Sequence, residues 1–181
     1  MLLLPICLFL LGADPMHPTV APPTAAHPAL APEHARLAAM VGTWDVQLTS
    51  WQKPGESPLK SRGFAVIEPL FGGLFIQERL EGLIGEAPYV MLSWTGFDTT
   101  SRSFQATHIA TTGSSLATDS GSFDERQGAL VLEGDHGPAG GRLRRVITQP
   151  SPDSLLVECF ELPTTGPPWR TSEVRYARRK P

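Results

Sequence analysis

Three ionisable residues, Glu78, His108 and Arg145, lie in segments where apolar and polar residues alternate. In a strand, alternation with a period of two places each of these side chains on the same face as apolar neighbours. The neighbours are, in chain order, Ile76 and Leu80, Phe104 and Ala106, and Leu143 and Ile147. The pattern therefore predicts that the three ionisable groups point into the interior of a β-structure.

Two kinds of chemistry follow if these groups meet. An inward arginine binds a ligand carboxylate through paired hydrogen bonds, and a histidine beside a carboxylate serves as a general base. Because a buried charge is costly unless it is paired, the three groups either form a mutual network or line a cavity that holds water or a polar ligand group. The alternative is a bulge that shifts the pattern by one residue and turns these groups toward solvent.

Other catalytic and metal-binding signatures are missing from the sequence. It has no Gly-x-Ser-x-Gly, Cys-x-x-Cys or His-x-x-x-His segment and no phosphate-binding glycine loop. We therefore assign no catalytic residue, no metal site and no cofactor, and we interpret Cys159 as a small apolar residue. An enzyme that uses Glu78, His108 and Arg145, and a haem or metal bound through His108, are the less favoured alternatives.

The elements that must position these residues are about ten short strands with turn residues at each junction. Proline, glycine and aspartate mark the junctions, and Pro69 is expected to end the second strand. This spacing favours an all-β fold, a single antiparallel up-and-down β-barrel of 8–10 strands with a short N-terminal helix. A two-sheet sandwich is the alternative. The predicted strands cover residues 43–49, 64–67, 74–80, 89–97, 104–110, 116–123, 129–132, 143–148, 155–162 and 169–176.

The N-terminal part of the chain divides into a signal-like apolar segment, residues 1–13, and a Pro/Ala-rich linker, residues 14–32, before the barrel domain, residues 33–181. The first segment is too short to span a bilayer, which takes about 20 residues. It resembles a secretory signal, although no basic residue precedes the apolar run. We therefore expect a secreted or periplasmic protein without a membrane span. A short helix is expected from Pro32 to about Met40, ended by Gly42.

Composition limits the partners. The formal net charge is −3, and charges of both signs are spread along the chain, so the basic face of a nucleic-acid-binding protein is missing. The expected partner is a small hydrophobic or amphipathic ligand inside the barrel, and the sequence leaves the oligomeric state open. A packed structural envelope module without a ligand is a further alternative.

A set of short motifs adds a resemblance to known proteins. The set begins with Gly42-Thr43-Trp44, continues through Gly72-Gly73 and Gly96-Phe97-Asp98, and ends with Tyr176-Ala177-Arg178. On these motifs, residues 33 to 180 resemble the calycin superfamily, which includes lipocalins and fatty-acid-binding proteins. They are more closely similar to a bacterial family of lipocalin-like barrels that is catalogued as a domain of unknown function.

The resemblance implies structural and ligand-binding roles. Trp44 is expected to plug the barrel floor, with Arg178 or Arg175 packed over it and Tyr176 in the closing strand. With Glu78, His108 and Arg145, the aromatic residues Trp94, Phe104 and Phe64 are expected to line the pocket. The family commonly carries an aromatic residue where this chain has His108 and an acidic residue where it has Ala110.

Overall fold

A computed structural model describes residues 29–135 and 141–180. The signal-like segment and most of the linker lie outside these residues. The described elements are helix α1 (His34–Met40), a 3-10 turn (Phe71–Gly73) and ten strands. The strands are β1 Gly42–Ser50, β2 Leu59–Leu70, β3 Phe75–Ile84, β4 Ala87–Asp98, β5 Ser103–Ala110, β6 Ala117–Asp124, β7 Ala129–Gly134, β8 Arg142–Ser151, β9 Ser154–Leu162 and β10 Trp169–Arg178.

The ten strands form one closed barrel in which every strand pairs antiparallel with its neighbours in sequence. The last strand, β10, pairs with β1 over seven positions, from Trp44 opposite Arg178 to Ser50 opposite Ser172. Closure pairs both edges of the sheet, so no strand edge is left open. The predicted all-β, up-and-down barrel with a short N-terminal helix is confirmed, and the sandwich alternative is wrong.

Proline does not end strands where the sequence predicted that it would. Pro69 lies inside β2 and pairs with Ile76 of β3, and Pro150 lies inside β8. Proline cannot donate a backbone hydrogen bond, and both prolines lie where the pairing with one neighbouring strand has ended or is interrupted. The β1–β2 pairing ends at Ile67, before Pro69, and the β8–β9 register shifts around Pro150.

The helix end of the barrel is closed by Trp44, which is fully buried. Its indole Nε1 donates a hydrogen bond to the Met40 carbonyl at 3.1 Å. The Arg178 guanidinium carbon lies 4.1 Å from the centre of the Trp44 ring. Arg178 also donates hydrogen bonds to the carbonyls of Val41, Ala39 and Pro152, at 2.7, 3.1 and 2.8 Å. One cation thus joins α1, the start of β1 and the β8–β9 turn at the barrel floor.

Burial decreases along the barrel axis away from this floor. The largest fully buried side chains include Trp44, Phe104 and Leu130, all at or near the helix end. Farther along the axis some inward-facing side chains are also buried, among them Leu80, Asp119 and Glu161. The others are only half-buried: Leu48, Glu78, Tyr89, Met91, His108, Leu143, Val157, Cys159 and Ser172. The largest buried side chains thus lie around the floor, and part of the inner wall beyond it is accessible to solvent.

No helix in the described part of the chain has the length and apolar character needed to cross a bilayer.

Candidate binding site inside the barrel

The strand register places Glu78, His108 and Arg145 on the inner face of the barrel wall. Glu78 and His108 flank Ser93, one on each neighbouring strand. Arg145 lies opposite Leu132, which is fully buried. Residues directly opposite each other in paired strands share a face of the sheet. The inward orientation that the alternation predicted is therefore the one observed.

Glu78 is held by hydroxyl groups from two other strands. The Tyr176 hydroxyl donates a hydrogen bond to Glu78 Oε1 at 2.8 Å, and the Ser93 hydroxyl donates to Oε2 at 3.4 Å. Burial raises the pKa of Glu78 above its usual value, while the Tyr176 hydrogen bond, the positive charge of Arg145 and the Ser93 hydrogen bond act in the opposite direction. Glu78 is therefore a desolvated carboxyl group that keeps its proton to a higher pH than an exposed one.

Arg145 finds its carboxylate partner in Asp119 of β6, not in Glu78. One terminal guanidinium nitrogen, Nη2, forms an ion pair with Asp119 Oδ2, and both side chains are buried. The same nitrogen lies 3.0 Å from His108 Nδ1. Because a guanidinium only donates hydrogen bonds, Nδ1 accepts this one, which makes His108 the neutral tautomer with its proton on Nε2.

Two further groups complete the set around Glu78 and Arg145. Tyr89 of β4 has its pKa raised to about 12, first by burial and then by the negative charge of Glu78. Cys159 faces inward on β9 opposite Arg145, and burial raises the pKa of its thiol. We use the name polar cluster for eight of the inward-facing residues: Glu78, Tyr89, Ser93, His108, Asp119, Arg145, Cys159 and Tyr176. Glu161 of β9 is also buried and faces inward, opposite Leu143, but it is not counted in this cluster.

Two aromatic residues expected in the pocket lie on the outer face instead. Phe64 is opposite Asp45 of β1 and Glu81 of β3, and Trp94 is opposite Gln77, to which its Nε1 donates a hydrogen bond at 2.9 Å. Both assignments are wrong because apolar residues occupy both faces of β2 and β4, so the sequence alone does not fix which face is inside. Phe104 does face inward, but it is 1% exposed and packs against Phe97 at the barrel floor.

Of the two arginines proposed to cover Trp44, Arg178 makes the contact and Arg175 does not. Arg175 is opposite Gln47 on the outer face and pairs with Glu173 at 2.6 Å. Tyr176 has two roles, because its ring packs at right angles to Trp44 with centroids 6.3 Å apart while its hydroxyl group binds Glu78. The sequence analysis expected only that Tyr176 has a structural role in the closing strand, and neither contact was predicted.

The sequence analysis missed Asp119 and the polar role of Tyr176. Asp119 alternates with Ala117 and Gly121 on β6, a face made of small residues that gives no strong apolar signal. The useful signal was the need for a partner, since a buried arginine requires a nearby carboxylate. A period-two search for inward acids on every strand would have included Asp119.

A metal centre and a surface cleft are the two alternatives to a site inside the barrel. Among the described residues, no group of three or more His, Cys, Asp or Glu side chains is arranged to hold a metal ion. A cleft of about 710 Å³ lies between α1 and the adjacent strand ends, with Arg36, Phe123 and Gln149 in its lining. Its lining includes no member of the polar cluster, so the titratable groups favour the barrel interior as the candidate site.

Two solved structures superpose on most of this chain. The crystal structure of Rv2717c from M. tuberculosis superposes with a TM-score of 0.61 at 14% identity, covering 84% of this chain and all of that one. The S-type phycobiliprotein lyase CPES from Guillardia theta superposes with a TM-score of 0.55 at 13% identity, covering 82% of this chain and 93% of that one. At these identities the likeness shows the fold alone.

No curated protein matches the sequence. A protein family described as "Protein of unknown function (DUF1579)" matches residues 29–178. The match spans the helix, all ten strands and the polar cluster. It confirms the expected resemblance to a lipocalin-like family catalogued as a domain of unknown function. The chain therefore belongs to the DUF1579 family.

Proposed function

We propose that the protein binds one small amphipathic molecule inside its barrel, with the polar end of that molecule at the polar cluster. The observation that carries this proposal is the convergence of polar side chains from seven strands, β3 to β6 and β8 to β10, on the inner wall. Buried polar groups cost free energy that an apolar interior would avoid. A site with a few convergent polar groups among apolar walls is typical of a small-molecule pocket.

The partial solvent exposure of the inner wall beyond the floor supports a cavity at this level. Leu48, Met91, Leu143 and Val157 face inward yet are only half-buried. A barrel of eight strands is just wide enough to hold a small ligand, and diameter grows with strand number. A ten-strand barrel therefore has room for a ligand, which argues against the alternative of a solidly packed envelope module.

Catalysis on the bound molecule is the second candidate. Glu78, with its raised pKa and its hydrogen bond from Tyr176, has the properties of a general acid or base. One similar barrel carries the name of a lyase, so this architecture is compatible with an enzyme. Binding is favoured because burial raises the pKa of the Cys159 thiol, which disfavours the thiolate form that acts as a nucleophile.

Export belongs to the same proposal, since the apolar residues 1–13 resemble a secretory signal. A secreted or periplasmic carrier would meet small molecules outside the cytoplasm. Mass spectrometry of the protein from its native source tests this by locating the mature N-terminus. Recovery in the exported fraction without residues 1–13 supports export, whereas an intact chain in the cytoplasm contradicts it.

The binding test uses the neutral fluorescent probe N-phenyl-1-naphthylamine with two tryptophan variants of adjacent β5 residues. Ala110 shares the inner face with Met91, so Ala110→Trp should fill the cavity and abolish the rise in probe fluorescence. Ile109 points outward and is 38% exposed, so Ile109→Trp is the matched control and should bind like the wild type. Both variants are first checked by thermal unfolding.

The proposal fails if the wild-type protein does not bind the probe, or if Ala110→Trp and Ile109→Trp bind it equally well. Native mass spectrometry of the protein purified from its source complements this test, because a copurified small molecule would reveal the physiological ligand.

A further inference from the structure

The polar cluster is not balanced in charge. Among the described residues it contributes two carboxyl groups, Glu78 and Asp119, and one guanidinium, Arg145. Arg145 pairs directly with Asp119. Within the described part of the chain, Glu78 receives hydrogen bonds from the neutral hydroxyl groups of Tyr176 and Ser93, and Arg145 acts on it through its electrostatic field.

The neighbours of Glu78 also experience its negative charge. Burial and then the charge of Glu78 raise the pKa of Tyr89, and the same two causes raise the pKa of Tyr176 well above its usual value. His108 adds no positive charge to this region, because it accepts the Arg145 hydrogen bond in its neutral form. The inner wall around Glu78 is therefore electronegative when this carboxyl group is ionised.

This arrangement discriminates between ligand head groups. A ligand carboxylate would lie beside Glu78 and Asp119, and the nearest guanidinium is already engaged by Asp119. A protonated amine would instead form a charge-assisted hydrogen bond with Glu78 in a partly desolvated site, where such bonds are strong. The carboxylate binding by Arg145 that the sequence suggested is thus the less favourable mode.

We propose that the molecule bound in the barrel carries a protonated amine, held by the Glu78 carboxylate between Tyr176, Ser93 and Tyr89, with its apolar body against the inner faces of the strands. This inference rests on the proposed function, since it names the chemical class of the ligand for the same site. Arg145, Asp119 and His108 form the adjacent wall and hold each other in place.

The test compares three probes of one chain length that differ only in the head group: decylamine, decanol and decanoate. Each is titrated calorimetrically into the full-length protein below its micelle concentration. Decylamine should bind at least about tenfold more tightly than decanoate, because only the amine can donate a charge-assisted hydrogen bond to the Glu78 carboxylate. Decanol should lie between them.

Two matched variants then locate the preference. Glu78→Gln should lose most of the preference for decylamine, whereas Glu81→Gln, on the same strand but on the outer face beside Phe64, should keep it. Equal or tighter binding of decanoate by the wild type overturns the inference but leaves the proposed function intact. A preference that survives in Glu78→Gln also overturns it. If none of the three probes binds, the proposed function falls together with the inference.

Discussion

Gly42 leaves room for the cation that covers the barrel floor. A Cβ atom added at Gly42 would overlap with Arg178 Nη1, and the φ angle of Gly42 is +150°, a conformation that residues with side chains rarely adopt. The Gly-x-Trp motif thus combines two requirements, a plug at Trp44 and space for the guanidinium above it. The preference for glycine has a steric cause here, which a sequence motif alone does not reveal.

Gly42→Ala should displace Arg178 and destabilise the protein by about 1–3 kcal/mol, the usual range for overpacking at a well-packed site. The measurement is chemical denaturation followed by tryptophan fluorescence. Gly55→Ala is the control, because its φ is also positive, +80°, but an added Cβ meets no atom within 4 Å. Equal losses in the two variants would contradict a role for the Arg178 contact.

Arg145 and Asp119 form the buried ion pair of the polar cluster. Removing one partner leaves the other charge buried without its counter-ion, so Arg145→Met and Asp119→Leu should each destabilise the fold by about 3–5 kcal/mol. The double variant should lose much less than the sum, because neither buried charge remains. Additive losses in this double-mutant cycle would show that the pair is not coupled as the structure indicates.

Glu78 makes stability depend on pH in a predictable direction. Burial raises its pKa in the folded state, so its stabilising contribution is complete below the ordinary glutamate pKa. That contribution is lost as the pH rises through the raised folded-state pKa. Glu78→Gln does not titrate, so its melting temperature relative to the wild type should increase as the pH rises through this range.

Glu81→Gln serves as the control for the pH series because Glu81 lies on the outer face. It should follow the wild type at each pH, and all other titrating groups cancel in the comparison. A Glu78→Gln curve that runs parallel to the wild-type curve would contradict a raised pKa at Glu78.

At the level of the elements, each strand presents one face to the interior. Alternation in the sequence does not by itself decide which of the two faces this is. The inner face of β2 has the small residues Gly63 and Ala65 before Ile67, whereas Phe64 and Val66 lie on the outside. A simple count of hydrophobicity therefore selects the wrong face of this strand. Pairing with Trp44 settles the orientation, since Ala65 lies opposite it.

The exchange of Phe104 and Phe64 for alanine tests these face assignments. Phe104 is 1% exposed and packs on Phe97, so Phe104→Ala should cost about 3–5 kcal/mol of unfolding free energy. Phe64 is half-buried on the outer face, so Phe64→Ala should cost clearly less. Urea denaturation measures both, and an equal or larger loss for Phe64→Ala would reverse the assignment.

The sequence predicted features that local residue types determine, such as the turns and the strands. It did not predict which distant residues meet when the strands pair. Turn residues located all ten strands, and alternation placed Glu78, His108 and Arg145 on the inner face. The partner of Arg145 could not be predicted, because Asp119 is separated from it by 26 positions in the chain and meets it only because β6 and β8 lie on either side of β7. Pro69 misled because a strand tolerates proline where its neighbour has already ended.

At the scale of the whole molecule, the barrel separates stability from binding along its axis. One end is closed by α1, Trp44 and Arg178 and contains the most tightly packed side chains. Beyond it lie the polar cluster and the half-buried apolar wall. Because the ten strands pair all the way round, the floor can keep the scaffold rigid while the inner wall carries groups that are costly to bury.

A crystal structure of the protein grown with decylamine would show directly whether an amine binds to Glu78 inside the barrel. We expect one amine inside the barrel, with its nitrogen about 3 Å from a carboxylate oxygen of Glu78 and its alkyl chain along Leu48, Met91 and Val157. An amine bound only on the outside of the barrel would contradict the proposal that Glu78 recognises a protonated amine. An amine inside the barrel with its nitrogen away from Glu78 would contradict it too.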